Sequence, residues 1–114
     1  MPGGECRPGE LAMVGPLALA SIAAVRFDTV VLGCCGVSPD GHVMAHDFGD
    51  AAVKQALLAS ANRRVLALDG AKFGQGALAV VQKVSRFDIV ITDATAPDSV
   101  LARLRADGLE VHLA

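Results

Sequence analysis

At 114 residues, with 53% hydrophobic and 19% charged side chains and a formal net charge of −2, the chain suits one compact domain and excludes disorder. Ten basic residues against twelve acidic ones leave no cationic surplus for a phosphate backbone. With no Trp, no Tyr and four Phe, the chain also lacks stacking platforms for single-stranded bases.

Three cysteines, Cys6, Cys34 and Cys35, are too few for a disulfide framework and point to a reducing, cytoplasmic setting. The longest uncharged run, Leu11 to Val25, falls short of the roughly 20 residues that cross a bilayer and is broken at Gly15-Pro16. Glu5 and Glu10 against Arg7 give the preceding segment the wrong charge for a secretory leader. No membrane partner is expected.

In chain order, Leu11-Ala12-Met13-Val14 reads as a short strand, and Gly15-Pro16 opens a helix to about Val25. Asp28 to Gly33 is a continuous apolar run, the pattern of a strand covered on both faces. A turn from Gly36 to Gly41 follows, then an extended piece from His42 to His46. From Asp50 to about Arg63 the spacing predicts a helix, because Val53, Ala56, Leu57, Ser60 and Ala61 recur every three or four residues. Lys54, Gln55, Asn62 and Arg63 fall largely outside that stripe. Asp47 or Asp50 caps this helix, and Arg63 and Arg64 suit its carboxyl end.

Arg64 to Leu68 reads as a strand ending in Asp69-Gly70, and the stretch to Gly76 leads into a helix over Ala77 to Lys83. Asp88 to Asp93 is another apolar strand. Pro97 starts a helix with Val100, Leu101 and Leu104 inward and Gly108 just past its end. Leu109 to Leu113 closes the chain as a strand. Arg26-Phe27-Asp28 and Arg86-Phe87-Asp88 mark two similar joints into apolar strands. Five strands interleaved with four helices give an α/β fold, a Rossmann-like, mostly parallel sheet of about five strands with helices on both faces.

Open parallel sheets bind ligands beyond the carboxyl ends of their strands. Here Leu32 runs into Gly33-Cys34-Cys35-Gly36, Leu68 into Asp69-Gly70-Ala71-Lys72-Phe73-Gly74, and Thr92 into Asp93-Ala94-Thr95. Small residues let a ligand approach the backbone, and Lys72 offers a compact positive charge to a phosphate. Asp47 and Asp69 can accept hydrogen bonds from sugar hydroxyls. Each also has a plainer role: the aspartates in turns and caps, Lys72 in solvent, Cys34 and Cys35 as small buried side chains. Cys34, Cys35, His42, His46 and Asp47 lie close in sequence but match no zinc spacing, so neither metal nor cofactor is expected. The chain has no P-loop, no G-x-G-x-x-G and no G-x-S-x-G.

Several of these residues together resemble the effector-sensing C-terminal domain of the DeoR family of bacterial transcription regulators. The similarity runs from Leu32-Gly33-Cys34-Cys35-Gly36-Val37-Ser38 through Gly41, Asp47, Ala51 to Ala56 and the Asp69-Gly70-Ala71-Lys72-Phe73-Gly74 loop. It continues in Phe87 to Asp93 and Gly108 to Val111, and the start fits too, with Gly3-Gly4 and Val14-Gly15-Pro16, so it covers nearly the whole chain. The resemblance implies a sugar-phosphate-binding α/β domain of the ribose-5-phosphate isomerase-like fold, tethered to a winged helix-turn-helix. In such regulators a phosphorylated sugar or related metabolite changes operator binding.

Carried onto this sequence, Asp69 and Lys72 take the family's Asp…Lys loop, and Asp47 stands near the polar position before the long helix. Gly33, Cys34, Cys35 and Gly36 line the pocket floor. The sequence departs from the family in two places. It shows no helix-turn-helix, so DNA is reached only through a domain missing here, and the Gly-Thr-Thr-like phosphate loop of the early sensor domain is absent. Residues 1–114 are therefore expected to form a single sensing domain, incomplete at its N-terminus.

The resemblance implies a sensor and not an enzyme, with no catalytic residues. The rival is an isomerase of the same fold, which needs a carboxylate base in the turn that here reads Cys34-Cys35-Gly36. A third possibility is a remnant that only mediates oligomerisation. The apolar Leu17 to Val25 segment suits an interface, and a homo-oligomer is expected.

Overall fold

The computed structural model describes Ile22 and residues 24–114. The expected strand at Leu11 to Val14, and all but the end of the helix that follows it, lie outside these residues. Strand β1 (Phe27–Leu32) is followed by β2 (Gly36–Val37), β3 (His42–Ala45), helix α1 (Phe48–Ala59) and β4 (Ala61–Ala67). Next come a 3-10 turn at Gly70–Lys72, β5 (Ala79–Lys83), a second 3-10 turn at Val84–Arg86 and β6 (Ile89–Thr92). Helix α2 (Asp98–Ala106) and β7 (Glu110–Leu113) complete the chain.

The architecture is mixed α/β and Rossmann-like. Four strands form a parallel sheet in the order β1-β4-β6-β7, and a smaller antiparallel sheet has the order β2-β3-β5. Helix α1 touches strands of both sheets, and α2 packs on β7. One row of side chains runs straight across the parallel sheet: Leu32 pairs with Leu66, Leu66 with Val90, and Val90 with Val111. Leu66 and Val90 are fully buried, which makes this row the centre of the core. Burying a side chain of that size contributes roughly 1.5–3 kcal/mol.

The two Arg-Phe-Asp joints both lead into strands that flank β4, but they are tied down by different bonds. Phe27 donates its amide to the Ser60 carbonyl at 2.8 Å, and Asp88 donates its own to the Arg64 carbonyl at 2.9 Å. The Asp88 carboxylate takes the Arg64 amide in return at 2.8 Å.

Three expectations need correction. Strand β1 is not covered on both faces: Val30 and Leu32 are buried, whereas Val31 is 60% exposed. Among the described residues β1 pairs only with β4, at one end of the strand order. The long helix ends at Ala59 with Ser60 as its cap, not at Arg63. Ala61 and Arg63 instead pair with Phe27 and Thr29 of β1, and strand pairing overrides the helical spacing that Ser60 and Ala61 happened to continue. Finally, Ala77 to Lys83 is not helical. Ala79 and Val81 are buried while Val80 between them is exposed, a two-residue alternation that fits an antiparallel strand against β3.

The last helix follows its expected boundaries. Pro97 caps it in extended conformation, Leu101 and Leu104 are buried, and Gly108 turns away with a φ of 91°.

Candidate functional site

The loops after β1, β4 and β6 meet at one end of the parallel sheet. Leu68 donates its amide to the Ile91 carbonyl at 3.1 Å, which keeps β4 and β6 together past their paired residues. Asp93 then accepts from the Gly70 amide at 3.2 Å and from the Thr95 amide at 2.9 Å, and its carboxylate also takes the Thr95 hydroxyl. These bonds, the Thr95 hydroxyl first, hold the Asp93 carboxyl below its ordinary range. The approach is close: a Cβ on Gly70 would lie 2.1 Å from the Ala96 nitrogen. Glycine at position 70 is therefore required by the neighbouring backbone.

Lys72 ties the second loop to the first. Its ammonium donates to the Cys34 carbonyl at 3.2 Å and spends one of three donors there. Further along, Gly74 donates its amide to the Val37 carbonyl at 2.7 Å, and Phe73 bridges to Val37. Gly36 faces Gln75 so closely that a Cβ would meet its carbonyl oxygen at 2.3 Å, so Gly36 serves chain packing and is itself buried. Gly33 is exposed beside β4, with room for an ordinary contact to the Ala67 carbonyl.

The remaining sequence candidates divide by environment. Cys34 is buried, and burial pushes its thiol up against the pull of the Lys54 and Lys72 ammonium groups. Cys35 is half-buried, with its Sγ 3.5 Å from Nδ1 of His46. Asp47 caps α1 through a 2.6 Å bond from the Asp50 amide, while its other oxygen lies 3.2 Å from Nε2 of His46. Asp69 precedes the 3-10 turn, exposed, and makes no capping bond to it with its side chain.

Two residues that the helical spacing assigned to other roles belong to this cluster. Asp50 and Lys54 are only 4% and 6% exposed, and Nζ of Lys54 donates to Oδ2 of Asp50 at 2.9 Å. The other Asp50 oxygen is buried with no hydrogen-bond partner among the described residues. Their four-residue spacing was the available signal, since it puts an acid and a base side by side on one turn of helix. Lys54 falls outside the apolar stripe of the helix, yet it is buried, because Asp50 pairs with it there. Among the described residues, no three His, Cys, Asp or Glu side chains are placed to hold a metal ion.

A cleft of about 500 Å³ opens elsewhere, between the Val37–Gly41 turn, Phe73-Gly74 and α2. None of the seven sequence candidates lines it, and the charged side chains at its wall, Asp40, Lys83, Arg103 and Asp107, are all exposed. The strand ends hold the buried and bonded polar groups, so the chemistry is concentrated there.

This arrangement is that of a sensing domain: residues 1–94 match the DeoR C terminal sensor domain, and the chain belongs to the DeoR family. Among its relatives is the glycerol-3-phosphate regulon repressor of Escherichia coli (strain K12), 31% identical over 111 residues that cover 97% of this chain and 44% of the relative. A putative aga operon transcriptional repressor of Escherichia coli O157:H7 is 28% identical over 99% of this chain and 42% of its own length. An HTH-type transcriptional repressor, CsqR of Escherichia coli (strain K12), is 27% identical over 99% of this chain and 43% of its own length. The chain thus spans less than half the length of these curated relatives. They are named as regulators of transcription, and the present chain corresponds to their ligand-sensing portion.

Proposed function

We propose that the strand-end cluster binds a phosphorylated sugar or polyol, and that binding controls how the full-length regulator engages its operator through a helix-turn-helix region. The observation that carries this is Lys72. It is a half-buried ammonium anchored by one bond to the Cys34 carbonyl, next to the exposed Asp69 carboxylate and the small residues Gly33 and Gly70. A phosphate can take the donors that Lys72 has left, and Asp69 can accept from hydroxyls on the same molecule. The glycerol-3-phosphate named for one relative is of this chemical class.

The domain acts by binding and not by turnover. Aldose–ketose isomerisation needs a carboxylate base beside the reacting carbon, and the turn after β1 carries thiols in that place. Cytoplasmic residence suits the free thiols of Cys34 and Cys35, and we infer a homo-oligomeric regulator.

A thermal-shift panel of sugar and polyol phosphates tests the proposal. At least one member is expected to raise the melting temperature of the chain, and Lys72→Ala is expected to abolish that rise. A panel without any shift, or a shift that survives in Lys72→Ala, refutes it.

A further inference from the structure

Strand β7 ends the order β1-β4-β6-β7, so among the described residues its outer edge has no partner strand. Glu110 and Ala114 donate their amides inward, to the Asp88 carbonyl at 3.1 Å and the Thr92 carbonyl at 2.8 Å. Backbone groups alternate in direction along a strand, so those of Val111 and Leu113 point away from β6. Unpaired groups of this kind are a template for another strand. Side chains alternate as well. Val111 is half-buried against the core, while Glu110 and His112 project together from the opposite face, 62% and 57% exposed and in contact with each other. Leu113 follows Val111 on the core-facing side and is 50% exposed.

We propose that the β7 edge is a self-association surface whose occupant is a second copy of this chain, added antiparallel about a two-fold axis at Val111. The register follows from the outward groups. Two Val111 residues exchange both amide-to-carbonyl bonds across the axis. The flanking pairs carry no backbone bonds between their members and stand closer, about 4.5 Å between Cα atoms. Each of them sets Glu110 against the partner's His112, which joins two carboxylates and two imidazoles into one group. An imidazole N–H there donates to a carboxylate. The exposed Leu113 comes opposite the partner's Leu109 and covers apolar surface. An axis centred on His112 would instead set imidazole against imidazole. The same construction at the other end of the sheet, centred on Val30 of β1, opposes Thr29 to Val31 and gains no such match. This surface gives a location to the homo-oligomer inferred above and rests on that inference, not on the effector site.

Analytical ultracentrifugation of the 114-residue chain over a concentration series measures its mass against 11.6 kDa for one copy. The parent chain is expected to reach twice that mass. Glu110→Lys puts an ammonium against each His112, and His112→Glu puts carboxylate against carboxylate. Each variant alone is therefore expected to dissociate about tenfold more readily than the parent. In an equal mixture the lysine of one variant faces the new carboxylate of the other, and the remaining His112 faces Glu110. Dimerisation is expected to return in that mixture, an outcome that misfolding of either variant would not produce. A parent chain that stays at 11.6 kDa overturns the proposal together with the homo-oligomer reading. A dimer that neither variant weakens, or that the mixture fails to restore, overturns the β7 surface alone.

Discussion

Asp50 and Lys54 show how burial changes what a charged residue does. On an exposed helix face such a pair contributes a few tenths of a kcal/mol. Inside, each partner removes the other's desolvation penalty, so loss of one leaves an unpaired charge in a poor solvent. Lys54→Met is therefore expected to destabilise the chain by about 3–5 kcal/mol, while the Asp50→Leu, Lys54→Met double variant recovers a large part of that loss. Urea unfolding of Lys54→Met, of Asp50→Leu and of the double variant measures both. If the double variant shows the full sum of the single losses, the two side chains do not act as a pair.

At the scale of elements, the joints were more legible than the elements they connect. Pro97 and Gly108 mark both ends of α2 because proline and glycine act through local backbone geometry, which no distant contact has to supply. The two Arg-Phe-Asp segments were readable for a similar reason, each placing an aspartate at the mouth of an apolar run. The end of α1 and the identity of β5 were not. Ser60-Ala61 and Ala77 to Lys83 carry small or β-branched residues that suit either conformation, and pairing with β1 and β3 decides them. Of the candidate site, Asp47, Asp69, Lys72 and the glycine-cysteine turn could be found because they follow strands. Asp50 and Lys54 were hidden because helical spacing shows that two residues are neighbours but not what covers them.

The same scale gives a sharp test of how the loops close. A Cβ on Gly70 meets backbone of Ala96 at 2.1 Å, whereas one on Gly76 meets nothing within 4 Å. Gly70→Ala is expected to cost about 1–3 kcal/mol more than Gly76→Ala, since a neighbouring backbone cannot step aside as a side chain can. Equal melting temperatures for the two variants would show that the loops after β4 and β6 do not approach as described.

Taken as a whole, the molecule places two concave or polar regions on one small frame. The parallel sheet holds its carboxyl ends together through Asp93, Gly70, Lys72 and Cys34, while the 500 Å³ cleft lies by α2 and the Val37–Gly41 turn. The cleft offers volume, whereas fixed charge, close backbone and buried polar groups lie at the strand ends, where the proposed phosphate-bearing effector would be recognised. Nuclear magnetic resonance titration of the labelled chain with glycerol phosphate or a hexose phosphate distinguishes the two regions directly. Amide shifts are expected to concentrate at Gly33 to Gly36 and Asp69 to Lys72. Shifts confined to Ser38 to Gly41 and α2 would contradict the assignment of the effector site to the strand ends.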